Sequence, residues 1–272
     1  MSQQITLAEH QEIALQILIY LDQICRKYNL KYFVSDGTLL GTIRHQGFIP
    51  WDDDVDIWMP REDYQKLALI VNQKECSCFR LLNSENTSGY LWAYSKLVHT
   101  GTSLKEYRPG AIDTGIFVDV FPYDGIPPRD SARFSLHWNL ILFLYKNGEI
   151  ASCSYSDLFG DRKSLSGYLK WLLRKLYGQK RIFRTVDFLC RLYPVEASDS
   201  VMCLCAGYHK NAVVPKSLID TLIELPFEGR PVKVPIGYDA YLRIMYGDYM
   251  TPPPPEKQVP NASHQADICW KT

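Results

Sequence analysis

The stretch GFIPWDDDVDIWM, residues 47–59, decides how the fold is interpreted, because it sets four aspartates among five residues inside an apolar segment. PWDD at 50–53 has the composition of a turn, and DVDIWM at 54–59 is typical of a β-strand. Side chains alternate along a strand, so Asp54 and Asp56 are expected on one face, about 7 Å apart, where their charges repel. A hard divalent cation relieves that repulsion. The stretch therefore predicts a metal pair, Asp54 and Asp56, that is approached through a turn at Asp52 and Asp53.

The segment before this stretch has the pattern of a phosphate site. YFVS at 32–35 predicts a short strand, and LLGTIRH at 39–45 predicts a helix that follows almost directly. Gly37 and Thr38 lie at the junction, where free backbone amides and the positive end of the helix dipole can hold a phosphate. Gly37 and Thr38 are therefore candidate phosphate-binding residues.

Helices and strands alternate in the first half of the chain, which predicts a mixed α/β fold. Thr6 and Glu9 form a capping box at the start of a helix that can end at Asn29. CFRLLN at 78–83, LWAYSKLVH at 91–99 and GIFVDVF at 115–121 have the composition of strands. Helical stretches at 130–146 and 165–192 follow. A hairpin over 223–235, with its turn at Glu228 and Gly229, and a helix within 237–250 complete the chain.

Composition and charge exclude several classes of protein. The 272 residues hold 30 basic and 30 acidic side chains, so no overall charge favours nucleic acid as a partner. The first thirty residues interleave acidic and apolar positions, unlike an export signal. The most apolar run, LILFLY at 140–145, is far shorter than the roughly 20 residues of a membrane span. We expect one cytoplasmic domain over 1–272, with a helical, basic insertion at 130–192.

Two local features leave alternatives open. Between 162 and 191 there are nine basic residues against one acidic residue, Asp187, which fits either contact with an anionic membrane or the charged outer face of a packed helix. The eight cysteines include two Cys-x-Cys pairs, Cys76/Cys78 and Cys203/Cys205. Together with His99 or His209 such a pair could hold a structural zinc, but reduced and buried thiols are the simpler interpretation.

Two charged residues interrupt apolar strands. Asp119 lies between Phe117 and Phe121 on one strand face, where a carboxylate is costly unless it is paired or bound to a metal. Lys96 occurs within AYSKLV, where a charge is unusual, although lysines are ordinary on edge strands. Asp119 is therefore a candidate metal ligand, and Lys96 is a candidate site residue.

Three longer segments carry a resemblance to a known family: DGTLLGTIRHQGFIPWDDDVDIWMPREDY at 36–64, GIFVDVFPYDGIP at 115–127 and ELPFEGRPVKVPIGYDAYLRIMYGDYMTPPP at 224–254. Together with His264 they resemble the LicD family, which has the nucleotidyltransferase fold and is related to fukutin and fukutin-related protein. The resemblance implies an α/β core, in which helices flank a mixed sheet, with a helical insertion. It also implies that Asp119 completes a metal site with Asp54 and Asp56.

The resemblance further implies a transferase that moves phosphocholine from CDP-choline to a sugar hydroxyl and releases CMP, with Mg²⁺ or Mn²⁺ as cofactor. The expected acceptor is a lipid-linked precursor of teichoic acid, capsule or lipooligosaccharide. Such an enzyme would act in the cytoplasm or at the inner face of the plasma membrane. Three alternatives remain: CDP-glycerol or CDP-ribitol as the donor, nucleotidyl transfer from a nucleoside triphosphate, and a non-catalytic protein that binds glycan or nucleotide.

Further residues receive roles in this hypothesis. Arg44 and Lys96 are expected to stabilise phosphate oxygens that gain charge, and Asp119 shares the metal or takes the acceptor proton. A choline group offers no hydrogen-bond donor, so an aromatic cage is expected to bind its cation. The candidates for this cage are Trp51, Trp58, Trp92 and Tyr94. The remaining substrate-binding candidates, without an assigned chemical role, are His45, Asp248 and His264.

Overall fold

A mixed seven-stranded sheet forms the centre of the computed structural model, which describes residues 3–73, 78–107, 110–154, 165–259 and 266–271. In chain order the strands are β1 (Phe33–Val34), β2 (Asp56–Pro60), β3 (Phe79–Leu82), β4 (Ser95–His99), β5 (Thr102–Glu106), β6 (Phe117–Gly125), β7 (Ser200–Met202), β8 (Val214–Pro215), β9 (Leu222–Phe227), β10 (Arg230–Pro235) and β11 (Ala266–Trp270). The sheet order is β1-β2-β6-β4-β3, and β7 pairs with β6 and β8. Strands β2 and β6 are parallel, and their other neighbours are antiparallel.

Helices pack around this sheet, and the mixed α/β fold class is confirmed. They are α1 (Leu7–Tyr28), α2 (Asp36–His45), α3 (Arg61–Asn72), α4 (Ala132–Ser152), α5 (Leu165–Tyr177), α6 (Gln179–Cys190) and α7 (Tyr238–Tyr246). The predicted capping box is present at the start of α1, where the Thr6 hydroxyl accepts from the Glu9 amide at 3.3 Å and the Glu9 carboxylate accepts from the Thr6 amide at 2.8 Å. Asn29 ends α1 in the left-handed conformation, as predicted.

Several predicted boundaries are corrected by the structure. Strand β2 begins at Asp56, so Asp54 lies before the strand and not within it. The helical stretch at 165–192 is divided at Gly178, whose φ of 85° cannot continue a helix. Strand β6 extends past the predicted GIFVDVF to Gly125. The sequence reading also missed β5 and β11, which pair with each other across more than half the chain.

The predicted hairpin is confirmed as β9 and β10. Glu228 and Gly229 join the two strands with φ values of 49° and 69°. Two consecutive positive φ angles are typical of the type I′ turn, whose twist matches that of antiparallel strands. The Glu228 carboxylate also accepts the Phe48 amide at 3.0 Å, so this hairpin contacts the segment that leads into the acidic stretch.

A buried ion pair fixes the end of β2 against β6. The Arg61 guanidinium donates to the Asp124 carboxylate from Nε at 2.8 Å and from Nη2 at 2.5 Å. Its third contact, from Nη1 to Asp187 at 2.9 Å, reaches α6. The network thus connects the sheet with the helical part of the chain. Among the described residues, no helix is both long and apolar enough to cross a bilayer.

Candidate active site

A row of three charged side chains crosses the middle of the sheet. Asp56 on β2 is in direct register with Asp119 on β6, and Asp119 is in register with Lys96 on β4. All three residues are buried, with exposed fractions of 9%, 5% and 1%. Since neighbouring strands lie about 4.8 Å apart, this register sets the two carboxylates side by side. Asp119 therefore lies beside Asp56 of the acidic stretch, and its role as a metal ligand stays a prediction.

The acidic turn adds carboxylates to this row. The Asp52 amide donates to the Ile49 carbonyl at 2.9 Å, so the predicted turn is present. Oxygen atoms of Asp52, Asp53 and Asp54 lie within 4.8 Å of one another. The predicted separation of Asp52 and Asp53, as a turn, from Asp54, as a metal ligand, is thus not seen. The side chains of the turn converge with that of Asp54.

Helix α2 and strand β2 are held together at this point. The Thr38 hydroxyl accepts a hydrogen bond from the Asp56 amide at 2.8 Å, and the Ser35 amide donates to the Asp56 carbonyl at 2.9 Å. A Cβ atom at Gly37 would lie 2.8 Å from an Asp52 carboxylate oxygen, so only glycine allows this approach. Gly37 and Thr38 therefore position the carboxylates, and their contact with phosphate stays a prediction.

Asp36 is a site residue that the sequence reading did not select. It begins α2 with a positive φ of 47°, and its carboxylate accepts a hydrogen bond from the Tyr208 hydroxyl at 2.6 Å. Burial raises the pKa of Asp36 to about 6, although polar contacts led by Tyr208 lower it, and the charge of Asp54 raises it further. An aspartate in the first turn of a helix is usually explained by its interaction with the helix dipole. The sequence alone therefore does not indicate a role for Asp36 in the site.

The electrostatics of Asp56 indicate a site for a cation. Burial raises the pKa of Asp56 well above its ordinary value, and the charge of Asp54 adds to this rise, as do those of Asp36, Asp119 and Asp52. Carboxylate oxygens are the ligands that Mg²⁺ and Mn²⁺ prefer. The residues present therefore fit either of the predicted ions, and an ion bound here would offset the repulsion between the carboxylates.

The structure corrects the role expected for Lys96. Its ammonium lies 2.8 Å from Asp119 Oδ1 and 3.6 Å from Glu106 Oε1, and it sits over the ring of Phe117 at 3.2 Å. The Lys96 ammonium also lies 4.6 Å from the centroid of the Trp92 ring, so Trp92 packs against this lysine. Because Lys96 is 1% exposed, it holds Asp119 in place and does not reach a substrate phosphate.

The predicted aromatic cage is also corrected. Trp58 has no exposed surface, because side chains from distant parts of the chain, Tyr208 and Tyr241, cover it. Tyr94 is buried against Phe121, with ring centroids 4.4 Å apart. Trp51 is the one cage candidate with substantial exposure, and it is itself partly buried.

Tyr246 is a better aromatic candidate than any of those predicted. It lies in the last turn of α7 and is 45% exposed. Burial of its hydroxyl raises its pKa, and the charges of Asp36, Asp56, Asp54 and Asp52 raise it further. Helix α7 packs against α2, which begins at the site. No pattern in the sequence indicates this role, since only the folding of α7 brings residue 246 to the site.

The other predicted site residues lie at the edge of this arrangement or outside it. Arg44 Nη1 donates to the Tyr249 carbonyl at 3.1 Å, and burial lowers the pKa of Arg44. Burial and the charge of Arg44 lower the pKa of His45. Asp248 is exposed and accepts from the Thr251 hydroxyl at 2.7 Å, which orders the loop after α7. His264 lies outside the described residues.

No described group of cysteines and histidines has the geometry of a zinc site. The Sγ atoms of Cys203 and Cys205 are 4.0 Å apart and buried, and their neighbourhood supplies no set of three ligands. Cys76 lies outside the described residues, and Cys78 is an exposed free thiol. The interpretation of Cys203 and Cys205 as reduced, buried thiols therefore agrees with the structure.

Fold and site together define a nucleotidyltransferase-like α/β domain, in which parallel strands of a mixed sheet carry carboxylates beside a strand-to-helix junction. Residues 29–151 match the family model described as LicD/FKTN/FKRP, nucleotidyltransferase domain, so the chain carries a LicD-family domain. This confirms the resemblance seen in the sequence. The match ends near the end of α4, and the extent of the domain over 1–272 stays a prediction.

Curated relatives agree with this assignment. The chain is 29% identical over 270 residues to the lipopolysaccharide cholinephosphotransferase LicD of Haemophilus influenzae. This alignment covers 97% of this chain and 98% of the relative. It is 45% identical over 60 residues to the uncharacterized protein RP689 of Rickettsia prowazekii and 43% identical over 70 residues to RT0683 of Rickettsia typhi. Those two matches cover 22% and 26% of this chain and 23% of each relative.

Divalent cations are expected to stabilise the folded protein through the acidic cluster. Millimolar MgCl₂ or MnCl₂ added to EDTA-treated protein at about pH 8 should raise the melting temperature by about 5 °C, because the ion binds the folded state alone. At about pH 5 the rise should be smaller, since protons compete for the same oxygens. Scanning fluorimetry measures both shifts. An Asp54→Asn/Asp56→Asn variant that keeps the full shift would place cation binding elsewhere.

The charge of Asp36 is expected to destabilise the metal-free protein. Its folded-state pKa of about 6 exceeds its ordinary value of 3.8, so raising the pH from about 4 to 6 lowers the contribution of this carboxyl to stability, by up to about 1.4 kcal/mol per pH unit. An Asp36→Asn variant should therefore be more stable than wild type above about pH 6, and the difference should shrink towards pH 4. Urea unfolding in EDTA measures this, and the coupled carboxyl of Asp56 changes the difference in the same direction, because the charge of Asp36 raises the pKa of Asp56. A variant that is less stable at every pH would contradict it.

Proposed function

We propose that this protein transfers phosphocholine from CDP-choline to a hydroxyl group of a glycan and releases CMP. The observation that carries the proposal is the alignment with the H. influenzae lipopolysaccharide cholinephosphotransferase, which extends over nearly all of both chains. The buried row of Asp56 and Asp119 supplies the chemistry, because it can bind the cation that such a transfer needs. The acceptor glycan we infer is a lipid-linked precursor of lipooligosaccharide, capsule or teichoic acid.

In this reaction the acceptor oxygen bonds to the phosphorus that carries choline, while the bond between that phosphorus and the bridging oxygen breaks. CMP leaves with the bridging oxygen, and the acceptor hydroxyl gives up its proton to a carboxylate of the site. Phosphoryl transfer of this kind depends mainly on positioning and on neutralising charge. A divalent cation, when bound, would neutralise the diphosphate.

The chain contributes the positions of these groups. Asp54, Asp56 and Asp119 would hold the cation. Asp54 converges with Asp52 and Asp53, and its charge acts on Asp56. Lys96 fixes the orientation of Asp119 through its contact with Oδ1. The start of α2 lies against the acidic turn at Gly37, and the amides of its first turn would suit a phosphate once the carboxylates carry a cation. Arg44 would act at the rim, beside the loop that follows α7.

Tyr246 would bind the choline group. It is a half-exposed ring next to carboxylates, and a quaternary ammonium is attracted both to the face of such a ring and to negative charge. The attacked phosphorus carries choline, so this cation must lie near the same carboxylates that serve the diphosphate. Tyr246 thus takes the role that the sequence had assigned to Trp58.

CMP release from a panel of donors tests the reaction. We expect release from CDP-choline in the presence of Mg²⁺, loss of release in EDTA, and little release from CDP-glycerol or CDP-ribitol. Asp56→Asn should reduce the rate by about 100-fold or more, because a charged group at the reacting centre is removed. The exposed Asp220→Asn is the matched control and should keep the wild-type rate. Faster release from CDP-glycerol or CDP-ribitol would show that one of these nucleotides is the donor. CMP release that persists in EDTA would refute the metal site.

Replacing Tyr246 is expected to weaken the binding of the choline group alone. Tyr246→Ser should raise the Kd for CDP-choline by about three- to fivefold, the range of a partly exposed cation-π contact, and leave the Kd for CDP unchanged. Tyr246→Phe keeps the ring and should bind CDP-choline as wild type does. Isothermal titration calorimetry measures each Kd. An equal loss for both nucleotides would mean that Tyr246 does not contact choline.

A further inference from the structure

Helix α4 presents an apolar stripe to solvent. Leu136, Leu140 and Phe143 are 72%, 43% and 63% exposed, and their spacing of four and three residues places them on one helix face. The opposite face of α4 is buried, with Phe134, Ile141 and Tyr145 among its members, and it packs against α5 and α6. Three large apolar side chains in one exposed row are not expected on a helix that only covers a core.

Basic side chains lie at both ends of this stripe. Arg133 precedes Leu136 by three residues, Lys146 follows Phe143 by three, and both are exposed. At 100° per residue, these two and the three apolar residues share an arc of about 140°. Acidic residues lie elsewhere: Asp130 precedes the helix, and Glu149 is about 130° from the centre of the arc. The exposed face of α4 is therefore apolar in the middle and positive at its two ends.

Three residues of the basic run at 162–191 are engaged in ion pairs. On α6, Lys180 and Arg184 pair with Glu85 at 3.3 and 2.8 Å. At the end of α6, Arg191 pairs with Asp187 at 3.0 Å. Their charges are thus partly neutralised within the protein. These three residues are therefore less available to an anionic surface than the exposed Arg133 and Lys146 of α4.

The charges on the α4 face disfavour a second copy of the chain as its partner. Two-fold pairing of antiparallel α4 helices would bring Arg133 of each copy towards Lys146 of the other, and parallel pairing would bring like residues together. Either arrangement sets positive charges against each other, with no acidic residue on this face to offset them. A negatively charged partner with an apolar interior has neither defect.

We propose that the face of α4 formed by Arg133, Leu136, Leu140, Phe143 and Lys146 docks on an anionic lipid bilayer. The three apolar side chains would enter the boundary between head groups and acyl chains, and the two basic residues would contact acidic head groups. This inference goes beyond the proposed reaction and does not depend on it, since binding to a lipid surface can be measured without either substrate.

Sedimentation of the full chain with lipid vesicles tests the proposal. We expect binding to vesicles of phosphatidylcholine with about 30% phosphatidylglycerol and much weaker binding to phosphatidylcholine alone, because acidic lipids attract basic side chains. Arg133→Gln/Lys146→Gln should weaken binding to the acidic vesicles by about fivefold per charge removed. Leu136→Ser/Phe143→Ser should weaken it further and remain effective at high salt, where the contribution of charge is screened.

Two control variants make the result specific. Leu69→Ser replaces a leucine that is 65% exposed on α3, and Lys180→Gln/Arg184→Gln removes the paired charges of α6. Both should bind acidic vesicles as wild type does, and melting temperatures verify that every variant is folded. Wild-type protein that ignores the acidic vesicles, or α4 variants that bind them as tightly as the controls do, would overturn the proposal. A dimer in solution that the Leu136→Ser/Phe143→Ser variant loses, without vesicle binding, would show that a second copy covers this face.

Discussion

Asp56 and Asp119 lie side by side on two parallel strands in the interior of the sheet, and the repulsion between them is the constraint on which the rest of the site depends. Ions of like charge cannot be buried together without a compensating charge. For Asp119 the protein supplies the compensating charge, because Lys96 contacts this carboxylate. Since Glu106 shares the same lysine, however, the positive charge of Lys96 is already divided between two carboxylates. Lys96 therefore does not offset the charge of Asp56.

Asp56 is therefore the carboxylate of this pair for which the described residues supply no ion-pair partner. The largest effects of neighbouring charge on its pKa all come from other aspartates, and they act with burial to favour the protonated form. The same geometry is built into the backbone. The Thr38 hydroxyl fixes the Asp56 amide, and the missing side chain of Gly37 lets Asp52 approach. A group of negative charges that is held in place by hydrogen bonds and packing cannot relax by moving apart. A proton or a cation has to neutralise it.

Much of this arrangement could be predicted because it is local in sequence. The capping box of α1, the junction at Gly37 and Thr38, and the hairpin at Glu228 and Gly229 each depend on neighbouring residues. The parts that the sequence did not reveal depend on contacts between distant segments. Tyr208 and Tyr241 bury Trp58, and Lys96 turns to Asp119 because antiparallel pairing sets the two in register. Periodicity assigns a side chain to a strand face, but it cannot tell whether another segment covers that face.

The excess of negative charge also bears on the choice of donor. CDP-choline and the CDP-alditols share the diphosphate, so the cation that neutralises it does not distinguish them. The head groups differ, because choline carries a permanent positive charge and glycerol or ribitol carries none. A head group attached to the attacked phosphorus must lie near the carboxylates, where the field of Asp52, Asp54 and Asp56 stabilises a cation and leaves a neutral polyol unaffected. An exposed ring at Tyr246 adds to that preference, since its face attracts a cation and offers a polyol little. Under the proposed function, the electrostatics that favour a divalent cation at the site therefore also favour choline over its uncharged competitors.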